Sequence, residues 1–343
     1  MDEHVKKEKK KMSKGTKALL IIACVIVGIA ILLAATVFIM MKIGESRLTD
    51  DGSNVQLTGS EVLDNGTIRY KGRLYRYNDK VTTILLMGID GKEKGTFDGK
   101  YGNENQSDVN VLAIFDDYNK KLSLVQISRD AMCEIEVLDE AGNYLGPANA
   151  QLALAYSYGD GEDFSCELTS HAVSNILHGI NVPAYASIYM DGIYDLVDII
   201  GGVEVTPYKS FGRFTEGQSV TLKGNLTEQY IRPRAHTIEG NNERMQRQSQ
   251  VLLGMVHEGL RNAKNDPMNI PNIYMGVKDN VTTNLSPTMM VYLAKLAINL
   301  DFDGKIHTVP GESTLGEDNY AEFNIDEEAF TQMIVDLYYI PID

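Results

Sequence analysis

An uninterrupted apolar run near the N-terminus constrains the architecture of this 343-residue chain more than any other feature. Residues 18–41 read ALLIIACVIVGIAILLAATVFIMM and contain no charged side chain. As a helix, such a run would extend about 36 Å, whereas the hydrocarbon core of a bilayer is about 30 Å thick. The run therefore predicts one transmembrane helix.

The residues around this run predict its orientation. Seven lysines and three acids in residues 1–17 make a basic tip, which the positive-inside rule keeps on the cytoplasmic side. A cleaved signal peptide is the alternative, but its apolar region would be shorter and would end at small residues, whereas Phe38 to Met41 continue the run to Lys42. We expect an uncleaved single-pass protein of the cell membrane, with a cytoplasmic N-terminus and an extracellular C-terminal domain.

The charge balance limits the classes of partner. The chain has a formal net charge of −15, and removing a tip of +4 leaves about −19 for the remainder. Because nucleic-acid binding depends on a basic surface, we expect no nucleic-acid partner. A local arginine cluster could still hold an anionic ligand.

The remaining sequence divides into two parts. Residues 42–80 are polar and predict an extracellular stalk that ends in an accessory hairpin within residues 68–77. In residues 81–343 strand-like runs alternate with helix-like ones, which predicts an α/β/α sandwich with a central mixed sheet. The predicted strands are Thr83–Gly88, Val109–Phe115, Leu122–Ile127, Ala186–Tyr189, Val203–Val205, Gln229–Arg232 and Lys305–Val309. The predicted helices are Asn149–Tyr158, Glu167–His178, Met190–Ile200, Asn242–Arg261, Pro287–Leu300 and Asp326–Tyr338.

Acidic residues lie at the ends of the first three predicted strands. Asp90 follows the first strand, Asp108 precedes the second, and Arg129 and Asp130 follow the third. If these strands are antiparallel neighbours, all four side chains converge at one edge of the sheet. Three carboxylates beside an arginine suit Mg²⁺ next to a phosphate. Ordinary turn residues are the alternative interpretation for any one of them.

A second cluster consists of arginines. Pro233 disfavours helix at Arg232, so extended chain would aim Arg232 and Arg234 to the same side. Arg244 and Arg247 lie three apart, in the first turn of a helix capped by Asn241 or Asn242. Because cations in a first turn oppose the helix dipole, a bound anion such as pyrophosphate would offset their cost. Surface ion pairs with neighbouring acids are the alternative.

Other residues leave alternatives open. Apolar faces formed by Ile193 and Leu196 and by Val251, Leu252, Met255 and Val256 are ordinarily core, but could also line a lipid groove. The external cysteines, Cys133 and Cys166, could form one disulfide or remain separate buried thiols.

The order of short motifs resembles the LytR-CpsA-Psr (LCP) family of cell-wall glycopolymer ligases. The resemblance covers the whole layout, from the basic tip and membrane span onward. Its motifs are Gly88-Ile89-Asp90, Ser107-Asp108, Ser128-Arg129-Asp130, Asn149-Ala150 with Ala155-Tyr156, Gly201 to Val205, Tyr230 with Arg232 and Arg234, and Arg244 with Arg247 and Gln248.

The resemblance implies transfer of a glycan polymer from a polyprenyl-pyrophosphate carrier to a hydroxyl of peptidoglycan. It implies Mg²⁺, with Mn²⁺ as an alternative, held by Asp90 and Asp108 directly or through water. The implied ligands of the two phosphates are Arg129, Arg232, Arg234, Arg244, Arg247 and Gln248, and the implied catalytic residues are Asp90, Arg129, Asp130 and Arg232. Asp130 would be either the base for the sugar hydroxyl or a structural partner of Arg129. The prenyl tail would enter the hydrophobic core.

Two positions depart from the family pattern. Many members have proline at the position of Ser128, and an acid at the position of Asn241.

Two further functions remain compatible with the same residues: a membrane-tethered phosphohydrolase that cleaves the pyrophosphate, and a non-catalytic receptor or regulator that binds the lipid-linked intermediate.

Overall fold

The computed structural model describes residues 32–342, apart from 51, 53–54, 64–65, 92–93, 95–96, 98, 103–104, 234–237, 267–269 and 318. The strands are β1 (Ser60–Val62), β2 (Thr67–Tyr70), β3 (Arg73–Tyr77), β4 (Val81–Ile89), β5 (Ser107–Asp116), β6 (Lys121–Ile127), β7 (Met132–Leu138), β8 (Tyr144–Gln151), β9 (Ala184–Tyr189), β10 (Val203–Val205), β11 (Val220–Leu222), β12 (Val281–Thr283), β13 (Asp301–Thr308), β14 (Gly311–Leu315), β15 (Ala321–Ile325) and β16 (Tyr339–Pro341). The helices are α1 (residues 32–48), α2 (Leu152–Ser157), α3 (Asp163–Ile176), α4 (Met190–Ile199), α5 (Asn225–Ile231), α6 (Ile238–Asn265), α7 (Ile270–Val277), α8 (Pro287–Asn299) and α9 (Glu327–Tyr338).

The centre of the fold is a six-stranded sheet in the order β12-β9-β4-β5-β6-β13. β4 pairs in parallel with β9, and β6 with β13, whereas the other neighbours are antiparallel. The sheet is therefore mixed, as predicted. Its central strands are apolar on both faces, and β4 is buried over most of its length, so both faces need a covering layer.

Helices supply that layer on each face. Tyr156 of α2, Val173 of α3 and Phe330 of α9 pack in one core cluster with Leu85 and Leu112 of the sheet. On the opposite face, Ile84 and Val111 pack with side chains of α1 and α8, and with apolar residues of α6. The predicted arrangement of a mixed sheet flanked by helices is confirmed.

Residues 42–80, predicted as a stalk with an accessory hairpin, pack on the domain that follows them. Ile68 and Tyr70 of β2 and Tyr77 of β3 are buried in the main core cluster. β3 also pairs with β16, the last strand of the chain. The alternation of apolar and polar residues in this segment therefore directs one face of a small sheet into the core.

α1 is docked on α8. A Cβ added at Gly44 would lie 2.3 Å from the carbonyl oxygen of Thr288, and Leu48 is almost wholly buried. Within the described part of the chain, no helix is both long and apolar enough to cross a bilayer. The predicted cytoplasmic tip 1–17, and residues 18–31 of the predicted span 18–41, lie outside the described residues.

Three predicted helix starts are corrected. The predicted helix Asn149–Tyr158 begins only at Leu152, because residues 149–151 pair with β7 as the end of β8. The helices predicted from Glu167 and Asn242 both begin earlier, at Asp163 and Ile238. In the first case the pairing partner lies in the preceding strand, which local helix preference does not take into account.

Candidate functional site

Three strand ends share one edge of the central sheet. Ile89 at the end of β4 pairs with Ser107 at the start of β5, and Asn110 of β5 pairs with Ile127 at the end of β6. The predicted antiparallel order of these strands is confirmed. Asp90, Asp108 and Arg129 therefore belong to the same edge.

Asp108 binds two arginines from distant parts of the chain. Its carboxylate accepts a hydrogen bond from Nη1 of Arg129, and its Oδ2 accepts one from Nη2 of Arg244 at 3.2 Å. Asp108 is only 7% exposed, so these ion pairs are poorly screened by water. Asp108 therefore holds two guanidinium groups, which are the groups suited to an anionic ligand, at one edge of the sheet.

Arg129 connects this carboxylate to the other predicted acids. Its Nε lies 3.4 Å from Oδ1 of Asp130, and its Nη2 donates to the side chain of Gln106. Burial lowers the pKa of Arg129 below its ordinary value, while the negative charges of Asp130 and Asp90 oppose that shift. The guanidinium remains protonated, since arginine does not lose its proton in proteins.

The two other acids differ in their environments. Asp90 is exposed, and its backbone N–H donates to the carbonyl of Gln106 at 2.9 Å. Asp130 is partly buried, and burial raises the pKa of its carboxyl, although Arg129 acts in the opposite direction. A raised pKa makes the Asp130 carboxylate a stronger proton acceptor, which fits the role of a base.

The predicted strand Gln229–Arg232 is wrong. Residues 225–231 form α5, and Arg232 follows it with helical dihedral angles, φ −82° and ψ −35°. Tyr230 and Ile231 are buried in a separate cluster that packs against α6, and this burial outweighs the local preference for extended chain. The argument that aimed Arg232 and Arg234 to one side therefore fails for Arg232. Arg234 lies outside the described residues.

Arg232 nevertheless lies near the edge of the sheet. Its guanidinium is paired with Glu228 and lies 3.8 Å from Oδ1 of Asp191. The backbone N–H of Met190, next to Asp191, donates to the carbonyl of Gly91 at 3.2 Å. Since Gly91 follows Asp90, the start of α4 links Arg232 to the Asp90 end of the site.

Arg244 and Arg247 lie on α6, but not in its first turn. The helix begins at Ile238, so the predicted caps Asn241 and Asn242 are inside it, and their side chains are outside the described part. The expected conflict with the helix dipole is therefore wrong, because the dipole acts mainly within the terminal turn. The pairing of Arg244 with Asp108 is the contact that places it in the site.

Arg247 is anchored inside the protein. It is 3% exposed, its Nε donates to the carbonyl of Tyr230 at 2.8 Å, and its Nη2 donates to the carbonyl of Pro233. The guanidinium also lies 4.5 Å from the ring centroid of Phe211. These contacts tie α6 to the end of α5, and a role for Arg247 in phosphate binding stays a prediction.

An apolar cavity of about 350 Å³ extends from Asp108 beneath the sheet. One wall is formed by β4, β5, β9 and β12, and the other by α4, α6 and α7. The predicted apolar faces meet here: the lining includes Ile193, Leu196, Val251, Leu252, Met255 and Val256. Gln248, predicted to bind substrate, also lines it. These faces therefore border a space that an apolar chain can enter, with Asp108 at one end.

Metal and thiol chemistry are constrained by the same structure. Among the described residues, no group of three or more His, Cys, Asp or Glu side chains is arranged to hold a metal ion.

Cys133 and Cys166 are both free and buried, so the disulfide alternative is wrong. Burial raises the pKa of each thiol to about 12, which keeps them uncharged and inert at neutral pH.

Three residues of the site were missed from the sequence. Gln106 contacts Arg129, while Glu228 and Asp191 contact Arg232. Glu228 lies four residues before Arg232, a spacing typical of helical ion pairs, and would have been found had α5 been recognised. No local pattern distinguishes Gln106 or Asp191.

Residues 47–337 match the LytR_cpsA_psr family, so the chain belongs to that family. The polyisoprenyl-teichoic acid–peptidoglycan teichoic acid transferase TagU of Enterococcus faecalis is 27% identical over 330 residues, which cover 94% of this chain and 96% of that protein. The Bacillus cereus protein of the same name is 26% identical over 256 residues, or 72% of this chain and 74% of that one.

Solved structures show the same fold. The crystal structure of B. subtilis TagV superimposes with a TM-score of 0.56 at 23% identity and covers 75% of this chain and 96% of that one. TagT bound to LIIa-WTA gives a TM-score of 0.54 at 20% identity, covering 76% of this chain and 90% of that one. The predicted family and fold are thus confirmed by independent comparisons.

Proposed function

We propose that this chain transfers a glycan polymer from a polyprenyl-pyrophosphate carrier to a hydroxyl of peptidoglycan. The observation that carries the proposal is the position of Asp108, Arg129 and Arg244 at one end of an apolar cavity. A lipid pyrophosphate combines the same two properties, a polyanionic head and an apolar tail. Teichoic acid is the polymer class we infer, because the relatives are named as teichoic acid transferases.

In the proposed reaction the acceptor hydroxyl oxygen attacks the phosphorus that carries the glycan. A new P–O bond forms, the bond from that phosphorus to the bridging oxygen breaks, and polyprenyl monophosphate leaves with the electron pair. The product is a phosphodiester between glycan and peptidoglycan. Arg129 and Arg244 would stabilise the charge that develops on the leaving phosphate, and Arg232 would neutralise the sugar-linked phosphate.

Asp130 is the group we propose to accept the hydroxyl proton. It is partly buried, its pKa is raised by burial, and it lies beside Arg129 rather than on the cavity wall. The alternative, that it only positions Arg129, predicts that Asp130→Asn weakens pyrophosphate binding. If Asp130 is the base, Asp130→Asn should instead lose turnover while pyrophosphate binding is retained.

Asp90 and Asp108 fit a Mg²⁺ site completed by substrate. Mg²⁺ is commonly bound by one or two carboxylates together with phosphate oxygens and water, so two carboxylates on neighbouring strand ends suffice for the protein's share. When bound, the ion would polarise the phosphoryl oxygens. Asp108 would be released to bind the ion once Arg129 and Arg244 have turned to the phosphate. Mn²⁺ would be the alternative ion, because it suits the same oxygen ligands.

We further propose that residues 18–41 anchor the protein in the cell membrane, with residues 1–17 in the cytoplasm and the domain outside. In α1, Leu32, Leu33, Val37, Phe38 and Ile39 are all exposed. A row of exposed apolar side chains on a helix is costly in water and favoured against lipid. This location would bring the domain to membrane-bound carriers and to peptidoglycan.

The full chain in detergent micelles can test the function directly. It would be incubated with Mg²⁺, a polyprenyl-pyrophosphate-linked glycan and peptidoglycan fragments, and joined products detected by mass spectrometry. We expect a joined product that Arg244→Ala and Asp90→Ala abolish. Arg261→Ala is the matched control, since Arg261 is an exposed arginine on the same helix that pairs with Glu258. Released phosphate without joined product would favour the phosphohydrolase, and binding without either would favour the receptor.

A further inference from the structure

We propose that the hairpin formed by β14 and β15 binds the acceptor, an N-acetylated glycan strand. This inference rests on the proposed function and adds the second substrate's binding surface to it. The lipid-linked donor is accounted for by the cavity and the arginines. An acceptor of polymer size also needs a surface, and the cavity lining does not offer one.

The hairpin begins at the site edge. β13 runs parallel to β6, and after it Val309 donates from its N–H to the carbonyl of Gln126 at 3.0 Å, close to the end of β6. The backbone N–H of Phe323 in β15 then donates to the carbonyl of Asp130 at 2.7 Å, and Phe323 pairs with Ala131. The hairpin is thus bonded to the loop that carries Arg129 and Asp130.

The strand order places the hairpin opposite the cavity. The cavity lies beneath β4, β5, β9 and β12, on one side of Asp108, whereas β6 and β13 lie on the other. In a phosphoryl displacement the attacking and leaving oxygens are roughly in line on opposite sides of phosphorus. If the prenyl phosphate leaves toward the cavity, the acceptor hydroxyl approaches from the side of Asp130 and the hairpin.

The surface of the hairpin has the chemistry of a glycan-binding site. Leu315 and Tyr320 flank its turn and are 65% and 69% exposed, and Leu315 pairs with Ala321, the residue after Tyr320. Each of these two exposed side chains offers apolar surface to sugar C–H groups. Every residue of β14 is exposed, and among the described residues β14 pairs only with β15. Its outer edge offers backbone N–H and C=O groups to the amides of N-acetyl sugars.

The test compares two exposed tyrosines at opposite ends of the sheet. Tyr320 is in the hairpin, whereas Tyr118 is in the turn between β5 and β6 and is 55% exposed. Full chain in detergent micelles would be assayed with saturating lipid-linked donor and soluble glycan strands of alternating N-acetylglucosamine and N-acetylmuramic acid. We expect Tyr320→Ala to raise the KM for the glycan about tenfold with kcat unchanged. A second series, with the donor varied at fixed glycan, should give an unchanged KM for the donor.

Two further variants separate stacking from general damage. Tyr320→Phe keeps the ring and should restore the acceptor KM, and Leu315→Ser should raise it by a smaller factor. Tyr118→Ala should leave it unchanged. Binding of a fluorescent glycan without donor, measured by anisotropy, should weaken by the same factor as the KM rises.

The outcomes distinguish this inference from the function on which it rests. Transfer with an unchanged acceptor KM in both Tyr320→Ala and Leu315→Ser overturns the hairpin assignment alone. An equal rise in Tyr118→Ala overturns it too, because the effect would then not be local. If the wild-type protein transfers glycan to no acceptor, the proposed function fails and the hairpin assignment fails with it.

Discussion

Nη2 of Arg244 lies 3.2 Å from Oδ2 of Asp108, whose other oxygen accepts a hydrogen bond from Arg129. Asp108 therefore pairs with two of the arginines that are proposed to bind pyrophosphate. The carboxylate is an internal competitor for the anion. Binding of a phosphate to these arginines would release Asp108, which is the state in which it could bind a cation.

This competition predicts that removing the charge of Asp108 strengthens the binding of pyrophosphate. In the absence of divalent cations, Asp108→Asn should bind inorganic pyrophosphate about tenfold more tightly than the wild type, because hydrogen bonds to charged partners are worth about 1.5–3 kcal/mol. Isothermal titration calorimetry of the full chain in detergent with EDTA would measure it. Asp117→Asn is a matched control, since Asp117 pairs with Lys120 and Lys295 at the opposite end of the sheet. Weaker binding by Asp108→Asn would mean that Asp108 instead holds the arginines in place.

Arg247 should behave differently from Arg244, although both are predicted phosphate ligands. Arg247→Lys cannot reproduce the two hydrogen bonds to the carbonyls of Tyr230 and Pro233, so it should lower the free energy of unfolding by about 2–4 kcal/mol. Arg244→Lys, at a partly exposed site, should change it by less than about 1 kcal/mol. Thermal denaturation of the two variants checks the difference. Equal melting temperatures would show that the backbone contacts of Arg247 are unimportant for stability.

The sequence was sufficient for the parts of the fold that depend on long apolar runs. β4, β5 and β6 are continuous apolar segments joined by short-range pairing, and their shared edge followed from strand direction alone. β14 and β15 were not predicted, because all residues of β14 are exposed and no residue of β15 is fully buried. Hydrophobic periodicity reports burial, so it does not detect a hairpin that projects from the core.

The arginine cluster shows a second limit of prediction from sequence, which is that contacts between distant parts of the chain decide local conformation. Pro233 predicts an extended Arg232, but Arg232 has helical dihedral angles at the end of α5. What decides the conformation of residues 225–231 is the burial of Tyr230 and Ile231 against α6, which is separate in sequence. The pairing of Arg244 with Asp108 spans 136 residues, and no local pattern predicts it.

The docking of α1 on α8 predicts opposite effects at two helical glycines. Gly44→Ala would place a methyl group 2.3 Å from the carbonyl oxygen of Thr288, so it should destabilise the fold by about 1–3 kcal/mol. Gly259→Ala, in α6, would meet no atom within 4 Å and should stabilise it by about 0.5–1 kcal/mol. Chemical denaturation in detergent measures both. A neutral Gly44→Ala would show that α1 is not fixed against the domain.

The environment of Asp130 predicts a pH-dependent stability difference. Because burial raises its pKa in the folded state, the folded protein holds this proton more tightly than the unfolded chain. The resulting stability is fully present below the ordinary aspartate pKa, near 4, and is lost as pH rises through the higher folded value. Asp130→Asn removes the cost of burying the charge, so its melting temperature relative to the wild type should increase from pH 3 to pH 7. A constant difference would contradict this expectation.

The cavity predicts a separation between lipid and phosphate recognition. Ala186 lies on β9 in the cavity wall, and Ala186→Phe would fill part of the 350 Å³ that the apolar chain is proposed to occupy. Each buried methylene is worth about 0.8 kcal/mol, so long-chain polyprenyl pyrophosphate should bind at least about tenfold more weakly. Inorganic pyrophosphate, which has no tail, should bind as it does to the wild type. Ile298→Phe adds an aromatic ring at an exposed position of α8 and should change neither affinity. Calorimetry would compare the two Phe variants with the wild type. If Ala186→Phe weakens the binding of both ligands equally, the cavity affects the phosphate site only through the fold, and the lipid tail must lie elsewhere.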